Sequence, residues 1–302
     1  MKSNKPSLSF SSIISMNVGF FGLQYSFGLQ QTNMTPIYSY LGANPDDIPW
    51  LNLAGPMTGL IVQPIVGAIS DKTISKYGRR RPFFFIGAII CSLCLLAMPF
   101  SKNLWMAASL LWILDAANNL TMEPYRALVS DKLPTKQHSI GFLTQSFFTG
   151  LGITLANITP TILISVGLIN QNARSSNNIT YTTYAAFMIG AVVSITSIMY
   201  SLFKTKEDPL TEEEIVHIKS EPRNLFSIFK DIGIAIKEMP KQMKQLAVVY
   251  LFTWYAMFIY WQFITLCLAK TIYNTTDATS NEFAAAQLLT GQVNATYNIV
   301  TF

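Results

Sequence analysis

The stretch LDAANNLTMEPYRAL, residues 114 to 128, carries Asp115, Glu123 and Arg126 in a run that follows LWMAASLLWI with no break in hydrophobicity. Charges in so apolar a setting cost several kcal/mol. At about 1.5 Å per residue Asp115 lies roughly 16 Å into its helix, close to a bilayer midplane. A carboxyl at that depth holds its proton when occluded and releases it when water arrives, the behaviour of a proton-carrying group. Arg126 sits on nearly the same helical face but on the order of 16 Å farther along, too far for a direct bridge to Asp115. Glu123, one turn before Arg126, is the nearer partner, and Pro124 between them is expected to kink the helix. Asn119 and Met122 complete the stripe. A structural ion pair that locks this helix to a neighbour is the competing reading.

The elements that must position these groups follow from composition. Half of the 302 residues are hydrophobic and only 12% are charged, which excludes an ordinary water-soluble domain. Segments free of Asp, Glu, Lys and Arg run from Pro6 to Pro45, Ile48 to Ser70, Pro82 to Ser101, Gln137 to Ala173, Ser175 to Phe203, Gln245 to Ala269 and Phe283 to Phe302. About 20 apolar residues cross a bilayer as helix. With Leu104 to Leu128, the pattern predicts seven full spans and an eighth that starts near Phe283. If Met1 is cytoplasmic, cytoplasmic segments hold 17 of the 21 Lys and Arg residues, a strong positive-inside bias. The net charge of +5 therefore reads as membrane topology, with the lipid bilayer as partner and no nucleic acid. The first helix inserts the chain in place of a signal peptide.

The fold class expected is an all-α polytopic membrane protein: a six-helix transmembrane bundle over residues 1-203, a cytoplasmic linker over 204-244, and an incomplete second bundle over 245-302. Within the linker, Thr211 and Glu214 match a capping box that starts a short helix. Farther on, Leu225, Ile228, Phe229, Ile232, Ile236 and Met239 share one helical face, as in a helix lying on the membrane surface or on the protein's own inner face. The sequence stops inside the eighth span, so a C-terminal truncation and self-association of the remainder are expected. Cys91 and Cys94 in CSLC read as small packing residues. No Walker loop, Rossmann fingerprint, nucleophile triad or metal-ligand spacing occurs; no enzyme, cofactor or metal is expected.

The second span ends in GAISDKTISKYGRRRPFFF. Gly67 is expected to allow close approach of helices, Asp71 to sit at the helix end, and Arg79, Arg80 and Arg81 to hold the loop at an anionic leaflet. Asp71, Gly78 and the three arginines resemble the signature loop between spans two and three of the major facilitator superfamily. With AGPMTGLIVQPIVGAISDKTISKYGRRRP, LDAANNLTMEPYRALVSD and GLQYSFGLQQTNMTPIYSYLGA together, the chain resembles the sucrose/proton symporter family and its bacterial α-glucoside-carrying relatives, from about Ile14 onward. GANPDDIPW lacks the histidine that plant members carry between the first two spans, which brings the likeness nearer the bacterial branch.

That resemblance implies a secondary active transporter: proton-coupled symport of disaccharides or related α-glucosides by alternating access, from the cytoplasmic (plasma) membrane, multi-pass, with a cytoplasmic N-terminus. It implies that Asp115 takes the coupling proton and that Arg126 serves sugar binding. Asn119 and Glu123 join Arg126 as substrate-binding candidates. Asn17, Gln24 and Gln31 recur every seven residues on the first span with Phe20 and Phe27 beside them; amides suit sugar hydroxyls and rings suit pyranose faces, although such amides also bond neighbouring helices. Gln145, Asn157, Trp254 and Trp261 are weaker candidates of the same kind. A transport-inactive fragment and a sodium-coupled sugar carrier are the alternatives.

Overall fold

The computed structural model describes residues 6–207, 210–220, 230, 233, 234 and 236–300. Eight long helices run back and forth between two ends: α1 (Phe10–Tyr40), α3 (Ala54–Asp71), α4 (Arg81–Ala97), α5 (Leu104–Lys132), α6 (His138–Ser165), α7 (Tyr181–Lys204), α9 (Lys241–Thr271) and α10 (Asn281–Ile299), with short helices α2 (Ile48–Leu51) and α8 (Glu212–Ser220) between them. The end that carries Arg79, Arg80 and Arg81 is the basic end; Tyr40, α2 and Asn281 mark the far end.

Among the described residues, five segments are long and apolar enough to cross a membrane: Pro45–Asp71, Arg81–Phe100, Thr135–Ser165, Tyr181–Lys204 and Lys241–Thr271. The other three expected spans are helices of 31, 29 and 19 residues. At 1.5 Å per residue, α1 and α5 reach over 40 Å, beyond the roughly 30 Å hydrocarbon core. Their hydropathy is diluted because they carry the buried polar side chains of the site. The eighth span begins at Asn281, two residues before the expected Phe283.

Local chemistry sets the ends. Ser9 caps α1 by accepting from the Ser12 N–H at 3.2 Å, Asn103 caps α5 through Met106 at 2.9 Å, and Ser280 caps α10 through Phe283 at 3.1 Å. Each satisfies a donor that the first helical turn leaves open. The capping box read from PLTEEE is present and reciprocal: the Glu214 N–H donates to Thr211 Oγ1 at 3.2 Å, and the Thr211 N–H donates to Glu214 Oε2 at 2.8 Å. Glu214 is held below the usual glutamate range by those hydrogen bonds, the backbone N–H of Thr211 first and its hydroxyl second. Of the linker stripe, Leu225, Ile228, Phe229 and Ile232 lie outside the described residues; Ile236 is exposed.

Packing centres on α1, which lies against α6 and α7, while α5 lies against α3 and α4 and α10 against α6. Lipid is as apolar as leucine, so close backbone approach and hydrogen bonds hold such helices. A Cβ on Gly291 of α10 would meet the Asn157 carbonyl of α6 at 2.6 Å, so only glycine lets those helices touch. Tyr125 of α5 donates to the Met16 carbonyl of α1 at 2.5 Å and stacks edge-on to Phe20 with centroids 5.5 Å apart. Cys91 and Cys94 are buried and unpaired, as the packing reading predicts.

The second part meets the first unevenly. Every residue of α9 from Lys241 to Ala256 is exposed, whereas Thr265 and Ala269 near its far end are buried. The helices therefore converge at the far end and part at the basic end.

Candidate functional site

Asp115 of α5 is 1% exposed. Its Oδ1 accepts a hydrogen bond from Gln30 Nε2 of α1, and its Oδ2 is buried with no partner. Among the described residues no ion pair involves it. A cavity of about 60 Å³ borders the carboxyl, lined by Gln30, Gln31, Asn52, Phe258, Trp261 and Gln262 among others. That is room for about two waters, far below the 300 Å³ or more typical of a ligand pocket. Five elements build it: α1 supplies the two glutamines, the α2–α3 connection Asn52, α3 the backbone of Gly55, α5 the acid and α9 the rings. The α9 rings form a ladder, with Trp254 to Phe258 centroids 6.4 Å apart and Phe258 to Trp261 5.6 Å apart. Trp261 Nε1 donates to the Tyr297 hydroxyl at 3.0 Å, which fixes the indole on α10.

Of the amides that recur every seven residues, Gln31 lines this cavity. Asn17 is buried and donates to its own helix at the Ile13 carbonyl, 2.9 Å away, leaving its Oδ1 without a partner. Gln24 is buried against α6, its Cβ 3.1 Å from where one on Gly152 would stand. A seven-residue repeat drifts by about 20° per step around an ideal helix, and α1 is surrounded by several partners, so a shared face does not mean a shared neighbour. Gln145 is likewise buried, its Nε2 unpartnered.

Asn119 is turned to α3: its Oδ1 accepts from Gln63 Nε2 at 2.5 Å and its Nδ2 donates to Thr58 Oγ1 at 3.1 Å. Met122, the other member of the stripe, packs in the apolar cluster with Phe84 and Tyr125 and does not line the Asp115 cavity. Glu123 and Arg126 pair at 3.4 Å, the arginine side chain half exposed. They lie outside the Asp115 cavity in this conformation, and α5 continues through Pro124 without a break.

A second polar cluster ties α10 to α1, α6 and α7. Gln287 donates to Asn33 Oδ1 at 2.8 Å and Thr183 Oγ1 at 3.1 Å, and accepts from the Tyr40 hydroxyl. Seven residues on, Asn294 donates to Thr32 Oγ1 at 2.9 Å, and Thr32 donates to Asn157 Oδ1. Asn157, read as a weaker sugar candidate, is thus committed to holding helices together.

At the basic end, Arg80 bonds Asp71 at 2.5 Å and Asp131 at 3.0 Å, and Arg79 bonds Asp131 at 2.9 Å. Arg81 donates to the Leu202 carbonyl at 2.7 Å. The backbone N–H groups of Arg79, Arg80 and Arg81 all point at the Glu207 carboxylate, at 2.7, 2.9 and 2.7 Å. Gly78 makes this possible: its φ of +109° suits glycine alone, and a Cβ there would stand 2.8 Å from the same carboxylate. Gly67 needs a different explanation from the one expected, because among the described residues nothing lies within 4 Å of a Cβ built on it, so none of their helices approaches closely there. Its carbonyl accepts from Ser70 Oγ at 2.9 Å.

Sequence reasoning missed Gln30, Asn52, Gln262 and Glu207. Gln30 adjoins Gln31 in LQQT, and no periodicity separates the two. Glu207 sits in the linker, 128 residues from Arg79, where no local pattern points to a partner.

The Major Facilitator Superfamily profile matches residues 16–300. Among curated proteins the chain is 24% identical over 280 residues to sucrose transport protein SUT5 of Oryza sativa subsp. indica, 84% of this chain and 51% of that protein. It is 38% identical over 126 residues to sucrose transport protein SUC4 of Arabidopsis thaliana, 36% of this chain and 25% of that protein. The chain thus spans at most about half the length of these relatives. Among solved structures it resembles a bacterial homologue of the human lysosomal transporter Spinster, in an inward-facing and unoccupied conformation, with a TM-score of 0.60 at 13% identity, over 93% of this chain and 59% of that one.

Proposed function

The chain belongs to the Major Facilitator Superfamily, and we propose that it serves there in proton-coupled uptake of a disaccharide or related α-glucoside by alternating access. The observation that carries this reading is the Asp115 carboxyl, buried without a cation and with one oxygen unpartnered beside a polar and aromatic cavity. A permanently charged carboxylate would be poorly served there, whereas one that binds a proton on each cycle has its second oxygen free to receive it. The likeness to sucrose transport proteins supports a sugar as cargo. Gln31, Asn52 and Gln262 offer donors and acceptors for hydroxyls, and Phe258 and Trp261 offer faces for a pyranose ring.

A cavity of about 60 Å³ admits no disaccharide, so loading requires α9 to move away from α1 and α5. Such a movement would enlarge the site toward the basic end, where α9 already stands apart, and would bring Glu123 and Arg126 to its wall. The positive-inside bias supports reading that end as cytoplasmic, and we take the membrane to be the plasma membrane. The membrane potential then supplies about 2.3 kcal/mol per proton per 100 mV, roughly 50-fold accumulation.

The test is uptake of labelled disaccharide into proteoliposomes, with an inward proton gradient in sodium-free buffer and then with sodium and no proton gradient. Accumulation that follows the proton gradient supports the reading. Accumulation that follows sodium, or none with either ion, overturns it.

A further inference from the structure

Behind the Asp115–Gln30 pair runs a chain of hydrogen bonds that ends in the interior of the bundle. The Gln30 Oε1 accepts from Asn118 Nδ2 at 3.4 Å. The same Nδ2 donates to Ser26 Oγ at 3.2 Å, and Cys91 Sγ lies 3.3 Å from both Asn118 Oδ1 and Ser26 Oγ. Ser194 Oγ stands 3.7 Å from that sulfur. Helices α1, α4, α5 and α7 each contribute to this cluster, whose members Ser26, Cys91, Asn118 and Ser194 are all buried.

An amide can turn over, exchanging its oxygen for its nitrogen, and hydrogen-bonded amides turn together. Asn118 stands with Oδ1 toward Cys91 and Nδ2 toward Gln30 and Ser26, an orientation that the Cys91 S–H favours whenever it donates to Oδ1. Gln30 must then present its oxygen to Asn118 and its NH₂ to Asp115. Turning Gln30 alone would set NH₂ against NH₂ on one side and oxygen against the carboxylate on the other, so Gln30 follows Asn118. An NH₂ facing Asp115 bonds the carboxylate; an oxygen facing it bonds only the protonated acid.

We propose that Asn118, which neither borders the cavity nor touches the Asp115 carboxyl, is a positioning residue that holds the Gln30 amide with its NH₂ toward Asp115 and so sets how readily that carboxyl takes up and releases its proton. The proposal rests on the reading of Asp115 as the proton-carrying group. Other groups leave it intact: among the residues lining the cavity only Asp115 titrates, Tyr38 of α1 commits its hydroxyl to the Leu51 carbonyl at 3.2 Å, Gly55 of α3 brings no side chain, and Cys91 of α4 stands behind Asn118.

The test reads the carboxyl directly, without transport. Infrared difference spectra of the purified chain in lipid are followed against pH, with the Asp115 band identified by its loss in Asp115→Asn. Gln30→Leu should move the midpoint to higher pH by about one unit, since a hydrogen bond to a charged group is worth about a tenfold change in equilibrium. Asn118→Leu should produce most of that shift, and the double variant no more than Gln30→Leu alone, because Asn118 acts through Gln30. Asn118→Ala gives the same readings where the bulkier leucine disturbs folding, which size-exclusion profiles report. A midpoint unmoved in the Asn118 variants, or a double-variant shift equal to the sum of the two, would overturn the proposal. A midpoint that shifts as expected in a protein that fails the uptake test would keep the positioning role and discard the transport reading.

Discussion

The Glu207 carboxylate, from the segment after α7, caps the first turn of α4 by accepting the Arg80 and Arg81 backbone N–H groups at 2.9 and 2.7 Å. A carboxylate at a helix N-terminus is stabilised by the unpaired donors and the helix dipole together. It also ties the linker to the loop whose Arg80 holds Asp71 and Asp131. Glu207→Ala should leave the helices formed but lower stability by about 1–2 kcal/mol, the usual effect of losing a helix cap. Thermal unfolding in detergent measures it, and an unchanged midpoint would mean that water replaces the carboxylate at no cost.

Asp115→Asn should abolish accumulation while leaving sugar exchange across the membrane. Asparagine fills the same space and keeps an oxygen for Gln30 Nε2, so binding and rearrangement remain possible while no proton is carried. Exchange is read as efflux of labelled sugar against unlabelled sugar, accumulation as uptake under a proton gradient. Retained accumulation would remove Asp115 from the coupling role.

Much of the fold is legible in the sequence because it depends on length and on charge-free runs, which a bilayer imposes directly. Asp115 is legible for the same reason: an acid in an apolar run advertises itself. What surrounds it is not. Gln30 and Gln31 are neighbours in sequence and both line the cavity, yet only Gln30 bonds the carboxyl, a difference set by the rotation of α1 among six partner helices. Gln287 and Asn294 of α10 read as ordinary polar residues of a late span, and only the meeting of α10 with α1 shows them bonding Asn33 and Thr32. Arg126 shows the reverse case, a residue expected at the site that stands half exposed beside Glu123.

Arg126→Lys should weaken sugar transport at least tenfold while changing stability by less than about 1 kcal/mol. An exposed pair at 3.4 Å contributes little to folding, whereas a planar guanidinium and a point ammonium present different hydrogen-bond geometries to a sugar. The initial rate of uptake and the unfolding midpoint, measured on the same preparation, separate the two effects. Wild-type transport in the lysine variant would reduce Arg126 to an anchor.

Acid should fray α8 from its N-terminus. Glu214 is held below the ordinary glutamate range by the Thr211 backbone and hydroxyl, so the box contributes stability that is present above the unfolded-state value near 4.5 and is lost as pH falls through the lower folded-state value. Glu214→Gln keeps an acceptor without the charge and should flatten that dependence. Hydrogen exchange of the first-turn amides, corrected for intrinsic rates, should accelerate on acidification in the parent chain and change less in the variant. Equal acceleration in both would place the acid sensitivity elsewhere.

Arg174 fastens the far end. It lies between α6 and α7, where its guanidinium donates to the Asn178 carbonyl at 3.1 Å, to the Ala278 carbonyl at 3.4 Å and to the Ser280 carbonyl. It also sits 5.3 Å over the ring of Tyr40, which bonds Gln287 of α10. The first six long helices and the α9–α10 pair are thus joined at this end by one cation that bonds carbonyls on both sides, and loss of its side chain leaves those carbonyls to water. Each hydrogen bond from a charged donor contributes about 1.5–3 kcal/mol, so even one unreplaced bond raises the open fraction tenfold or more. Arg174→Ala should therefore expose the Asp115 cavity from the far end. A cysteine at Met34, which lines that cavity and is 2% exposed, reports on it once the exposed Cys267 is replaced by serine; Cys91 and Cys94 are buried. Labelling by a membrane-impermeant thiol reagent added from the far side should quicken at least tenfold in the alanine variant and only partly in Arg174→Lys, which keeps the charge but loses the fork. An unchanged labelling rate would show that the Gln287 and Asn294 hydrogen bonds hold this end closed without Arg174.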